Sequence, residues 1–181
     1  MASKVLSGGS KLQAHLKRLS KAVSTAASVR VGFLEGSTTT GGVSLPMVAA
    51  VQEFGAPAKG IPPRPYFRTM IKKEEGHWGR DLGLLLRANQ YDAKKALGQM
   101  GDEIKGELQQ SIVDLTDPPL SQVTLLLRER FGNHPEDITF GDVSQARHDI
   151  ASGKVPNVSG TQAKPLIWTG NMLNSVDKEV I

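Results

Sequence analysis

QEFGAPAKGIPPRPYFRTMI, residues Gln52 to Ile71, closes one apolar run with a glycine and opens the next behind a stiffened loop. Pro57, Pro62, Pro63 and Pro65 are four of the chain's ten prolines. Each fixes its own φ, removes a backbone donor and biases the residue before it toward extended conformation, so the segment is a shaped loop and not a ladder strand. Gly55 suits the positive-φ position that ends a helix, and Pro65 suits the first turn of the next one. That following helix turns Phe67, Met70 and Ile71 inward. The stretch thus reads as a helix, a rigid connection and a second helix.

Upstream, Leu45 to Phe54 is apolar on most sides, with Ser44 placed to cap it and Pro46 in its first turn. GSTTTGG, residues 36–42, is a pliable polar loop. Before it, Val29, Val31 and Phe33 alternate with Arg30, Gly32 and Leu34, the period of a strand buried on one face. Nearer the start, Leu12, Leu16, Leu19, Val23 and Ala26 recur at helical spacing, with Lys11, Lys17, Arg18 and Lys21 on the opposite face and His15 at the edge. The pattern lets the leucines pack while the charges stay wet.

Downstream, KKEEGHWGRDLGLLLRANQ is helical in composition but carries Gly76 and Gly79, where a break is expected, with Trp78 as a packing anchor just past it. Leu97, Met100, Ile104, Leu108, Ile112 and Leu115 form the strongest stripe, within Tyr91 to Leu115, and this long helix is the spine of the core. Pro118 and Pro119 stop it, and Ser121 can cap a short helix over 122–131. A further helix is expected over 142–151 and a flexible loop over 152–164. Residues 115–164 read as a loop-rich helical excursion from the main body. Near the end, PLIWTG (165–170) gives a turn, 171–175 about one helical turn, and Val176 to Ile181 a closing strand to pair with Val29 to Leu34. The fold class is α+β: a small antiparallel sheet on a long helix, with additional short helices and long loops, in a single domain over 1–181.

Composition bounds what such a domain can do. With 181 residues there is enough chain for a real core, but only 5% are aromatic, so the core is aliphatic and modest. The absence of cysteine excludes disulfides, a thiol nucleophile and a cysteine-ligated zinc site. No apolar run approaches the length of a membrane span, and the first residues do not read as a secretory leader, which suits a protein kept in the cytoplasm. The net charge of +4 is unevenly spread: Lys4, Lys11, Lys17, Arg18, Lys21 and Arg30 precede the first acid, Glu35, leaving 16 basic against 18 acidic residues afterwards. The basicity belongs to the N-terminal helix, where it suits a solvated face, an acidic neighbour or a polyanion.

The chemistry-bearing residues assemble no catalytic set. His15, His77, His134 and His148 are scattered, and none shows the i, i+4 pairing with a glutamate found in zinc proteases. His134, Asp137, Asp142, His148 and Asp149 are close in sequence but fall in loop-rich segments, so no metal site is expected. GAPAKG lacks the Gly-Lys-Ser/Thr order of a phosphate loop, there is no Gly-x-Ser-x-Gly elbow, and Glu74-Glu75 suits a solvated helix face. The expectation is a protein that is not an enzyme and needs no cofactor.

Three segments together carry a resemblance. Glu53-Phe-Gly55 followed by Pro63-Arg-Pro-Tyr-Phe-Arg68 resembles the "E-F/Y-G … R-P-F-(L/F)-R" motif of tailed-bacteriophage neck and tail-completion components. Pro118-Pro-Leu-Ser121 with Thr124 is similar to the "P-L-S-x-x-T" segment of phage virion-morphogenesis proteins. Pro165-Leu-Ile-Trp-Thr-Gly170 with Leu173 and Ser175 resembles their "P-L-x-x-T-G-x-L-x-x-S" element. Many members place the threonine-glycine element before the glutamate-phenylalanine-glycine element, and here the order is reversed. The resemblance implies a structural virion protein, assembled in the host cytoplasm, that forms a homo-oligomeric ring, commonly a hexamer, at the head–tail junction or the top of the tail. It implies neck, connector and tail proteins as partners. Arg64, Tyr66, Phe67 and Arg68 are the candidate residues at or just behind a subunit or partner interface, since arginine and aromatic side chains often carry binding energy. Lys11, Lys17, Arg18 and Lys21 are the candidates for facing a partner or DNA in a channel. The alternative function is a nucleic-acid-binding module that uses this basic helix.

Overall fold

The computed structural model describes residues 9–23, 28–39 and 41–181. Ala26, assigned above to the N-terminal stripe, lies outside them, as does the side chain of Val23. The centre of the molecule is a helical hairpin of α3 (Tyr66–Ala88) and α4 (Ala93–Asp114). Its turn places Gln90 and Tyr91 at φ 55° and 64°, and the Asp92 side chain accepts from the Lys95 N–H at 3.1 Å to start α4. Tyr91, expected at the head of the long helix, is therefore part of the turn.

The break expected at Gly76 and Gly79 is absent, and α3 runs unbroken through both. Each exposed glycine costs a helix about 1 kcal/mol relative to alanine. Packing of α3 along α4 supplies what the local preference lacks. Trp78 is the anchor expected, half-buried against the main core, but in mid-helix.

Against α4 lies a two-stranded antiparallel sheet of β1 (Val29–Phe33) and β2 (Val176–Val180), paired from Val29 opposite Val180 to Phe33 opposite Val176. This is the pairing expected from the alternation. Gly101 lets the sheet approach: a Cβ there would stand 2.8 Å from Val29 Cγ2 and 2.9 Å from Lys178 Cδ. Gly32 is closed over from the other side by the Phe67 ring.

The main core joins Leu45 and Ala49 of α2 (Leu45–Phe54) to Tyr66, Met70, Leu108, Ile112, Leu166, Ile167, Met172 and Val176. Met172 comes from the one-turn α7 (Asn171–Asn174). A second cluster, built on Leu126, Leu127 and Ala146, holds α5 (Gln122–Phe131) against α6 (Phe140–Ala151). The helix expected over 142–151 begins earlier because Thr139 and Asp142 form a reciprocal cap. α1 (Gly9–Val23) differs from every other helix: Leu12 and Leu16 are 60% and 54% exposed, and only Leu19 is half-buried. Among the described residues, the packing expected of Leu12 and Leu16 is not made. Among the described residues no helix is long and apolar enough to cross a membrane.

Candidate interaction site

The segment from Gln52 to Ile71 folds back on α2 as a clasp around one carboxylate. Glu53 sits in the last turn of α2 and is 5% exposed. Its Oε2 accepts from the Phe67 N–H at 2.9 Å, and its Oε1 accepts from the Arg68 N–H at 3.3 Å and from Arg68 Nε at 2.7 Å. Arg68 Nη2 donates to the Glu53 carbonyl at 3.3 Å. The first N–H groups of a helix have no intrahelical acceptor and carry the positive end of its dipole. Pro65, at the N-cap position of α3, offers no side-chain acceptor, so Glu53 does this from another helix. A buried carboxylate is tolerated because a guanidinium and two helix N–H groups meet it.

Gly55 sets the bend that makes the clasp close. Its φ is +75°, and a Cβ would lie 2.7 Å from Pro63 N and 2.8 Å from the Ile61 carbonyl oxygen, both backbone. Ala56 and Ile61 exchange N–H···O bonds of 2.9 and 3.2 Å across the intervening turn. The Arg64 N–H then donates to the Gln52 carbonyl at 2.7 Å, Arg64 Nη1 donates to Gln52 Oε1 at 3.1 Å, and Tyr66 Oη donates to the Ala49 carbonyl at 3.3 Å.

This placement changes the reading of the four candidate interface residues. Tyr66 is in the core and burial raises its phenol pKa further than the nearby Glu53 charge does. Arg64 is only 6% exposed, with burial lowering its pKa, and Phe67 packs against the core and the sheet. Arg64 and Tyr66 lie behind the surface, because the loop folds over α2, and Phe67 is half-buried beside them. Arg68 is the one whose side chain remains largely reachable, even while paired to Glu53 and stacked 5.1 Å from the centre of the Phe54 ring.

The other two sequence segments that carried the resemblance are also local locks. Ser121 Oγ accepts from the Thr124 N–H at 3.1 Å and shares a 2.8 Å hydrogen bond with the Thr124 hydroxyl, capping α5. From α5, Arg128 reaches into the 162–168 segment. Its Nη1 donates to the carbonyls of Gln162, Lys164 and Ile167, and its Nη2 to that of Pro165, at 2.7 to 3.1 Å. The guanidinium stacks 5.0 Å from the centre of the Trp168 ring. Burial, and then the nearby Arg64 charge, push the Arg128 pKa down to about 10. Thr169 Oγ1 accepts from the Asn171 N–H at 3.3 Å, and Gly170 at φ +75° begins α7.

Parts of all this border one open, mainly apolar groove of about 360 Å³. Val43, Leu45 and Val48 form one wall, Leu166, Trp168 and Met172 the other, with Gln52 and Arg128 supplying polar atoms. Lys11, Lys17, Arg18 and Lys21 are exposed on α1, with no acid in that helix. His134, Asp137, Asp142, His148 and Asp149 do not converge: His134 meets Glu136, Asp142 caps α6 and Asp149 pairs with Arg130. The convergence that sequence reading missed is elsewhere, where His77 of α3 faces four carboxylates of α3 and α4. Its signals were Glu74 three residues before His77 and Glu103 four before Glu107, each pair on one helix face. Compared with known proteins, the chain matches no family model, no curated sequence and no solved structure.

Proposed function

We propose that the chain is a structural virion subunit of a tailed bacteriophage, forming a ring at the head–tail junction or the top of the tail that joins tail to connector. The observation that carries this reading is α1: a 15-residue amphipathic helix whose Leu12 and Leu16 find no cover among the described residues. An apolar stripe of this kind is an assembly element, and the groove between Val43, Val48, Trp168 and Met172 is a surface of matching chemistry. A stripe on one copy meeting a groove on the next is a heterologous contact, the kind that closes into a ring. The three motif segments contribute by holding the groove walls and the clasp rigid, so that little ordering is left for assembly.

Native mass measurement and negative-stain imaging of the purified protein test this. The expected result is a ring, hexameric for preference, that falls to monomers in the Leu12→Glu/Leu16→Glu variant while its melting temperature barely changes. A monomer at tens of micromolar, or an assembly indifferent to that variant, would remove the reading.

The exposed basic face of α1 favours a second reading as a nucleic-acid-binding module. Four cations on phosphates would give a duplex-DNA affinity that falls steeply with salt, and Lys17→Glu/Arg18→Glu would reduce that slope. Binding that ignores both salt and these substitutions would remove it.

A further inference from the structure

On the α3–α4 hairpin, His77 Nδ1 lies 2.7 Å from Asp81 Oδ2, while its Nε2 lies 3.1 Å from Glu74 Oε2 and 3.2 Å from Glu107 Oε1. Asp81 and Glu74 belong to α3 and Glu107 to α4, so two packed helices hold the set. With the Nδ1 proton given to Asp81, Nε2 carries a lone pair directed at two carboxylate oxygens. The three acceptor atoms lie within 4.8 Å of one another. A proton on Nε2 serves one of those oxygens well; a multivalent cation serves all three atoms.

The atoms not facing that point are each already held. Lys73 Nζ meets Glu74 Oε1 at 2.6 Å, Trp78 Nε1 donates to Glu107 Oε2 at 2.8 Å, and Asp81 holds His77 Nδ1. Metal-binding imidazoles and carboxylates are oriented in this way, the far nitrogen on a carboxylate and the far oxygen on a donor. Ligands about 2.1 Å from an ion and adjacent in its coordination sphere stand about 3 Å apart, the spacing of His77 Nε2 from each of the two carboxylate oxygens. Lys73 is exposed and Trp78 lies outside the ion pairs, so these two donors orient the carboxylates without filling the space between them.

We propose that His77 Nε2, Glu74 Oε2 and Glu107 Oε1 form a three-ligand site for a divalent transition-metal ion. One imidazole and two carboxylates suit zinc, cobalt or manganese, and the nitrogen donor sets them apart from magnesium and calcium sites built from oxygen alone. Water completes the coordination sphere; Glu103, 3.9 Å from His77 Nδ1, stands on the other edge of the ring and is not a ligand. The ion ties α3 to α4 midway along the hairpin, and its two charges balance Glu74 and Glu107. The site stands apart from the groove and α1, and its existence does not depend on the ring.

Chelator-treated, tag-free full chain is titrated with cobalt(II) by visible absorption and with zinc by calorimetry. Expected is one cobalt per chain with a ligand-field band, displaced by zinc and not by a tenfold excess of magnesium. His77→Asn and Glu74→Gln/Glu107→Gln should each abolish the band, Trp78→Phe should weaken affinity about 10- to 100-fold, and His134→Asn should leave it unchanged. If His77→Asn does not fold, the double glutamine variant decides. No band in the wild type, a band that survives these substitutions, or displacement by magnesium as readily as by zinc would overturn the site.

Discussion

At its first turn, helix α3 meets a carboxylate held by three donors, and about three turns later it presents an imidazole with more acceptors than it can satisfy. Glu53 takes three hydrogen bonds from two N–H groups and a guanidinium and is closed off from solvent. His77 stands half-exposed among Glu74, Asp81, Glu103 and Glu107. In one place three donors meet a single carboxylate, and in the other four carboxylates share one imidazole. The balance of donors against acceptors separates a fixture of the fold from a place that a ligand can enter.

The largest way to break the comparison is Glu53→Gln. The substitution keeps the shape but turns one acceptor into a donor that faces the N–H groups or the guanidinium. Removing charge-assisted bonds and leaving buried donors unmet should cost about 3 kcal/mol, read by urea unfolding. Gly55→Ala acts on the same clasp through the backbone. Its Cβ would press on Pro63 N and the Ile61 carbonyl from a positive-φ position, costing about 2 kcal/mol in the same assay. Gly101→Ala probes the other face of the hairpin. The neighbours there are side chains that can shift, so about 1 kcal/mol is expected.

Arg68→Ala sharpens the contrast from the solvent side. The Arg68 side chain is more than half exposed and Glu53 keeps both helix N–H groups, so the loss should stay within about 1 kcal/mol. The smallest effect belongs to Asp142, a carboxylate held through one oxygen and exposed at the start of α6. The Thr139 hydroxyl and then its N–H hold the Asp142 carboxyl below the usual aspartate range. A depressed folded-state pKa gives stability that is present above the ordinary value and lost as pH falls through the folded one. Asp142→Asn should therefore lower neutral stability slightly, the difference from wild type closing as pH falls through the carboxylate range.

The parts of this fold that are legible in the sequence are those carried by a period. Alternation at Val29, Val31 and Phe33 and a closing segment from Val176 were enough for the β1–β2 pairing, and the stripe from Leu97 to Ile112 was enough for α4. Gly76 and Gly79 misled because their cost is local, whereas the contact of α3 with α4 that overrides it is not. Arg64 reads as a surface residue by type; it is inside because Gly55 turns the loop back over α2, a consequence no periodicity encodes. Glu53 reaches the start of α3 across a proline-rich turn, so its role as a cap appears only once both helices are placed. The histidine cluster needs the relative register of α3 and α4. The spacing of Glu74 with His77 and of Glu103 with Glu107 marks one face on each helix, but not that the two faces meet.

The most direct test of that contrast is thermal unfolding of wild type, Glu53→Gln and His77→Asn, each with and without one equivalent of zinc. Expected is a Glu53→Gln protein that melts well below wild type and is raised by zinc by the same increment as wild type, beside a His77→Asn protein that melts near zinc-free wild type and does not respond to zinc. A Glu53→Gln protein as stable as wild type, or a His77→Asn protein that still gains stability from zinc, would contradict it.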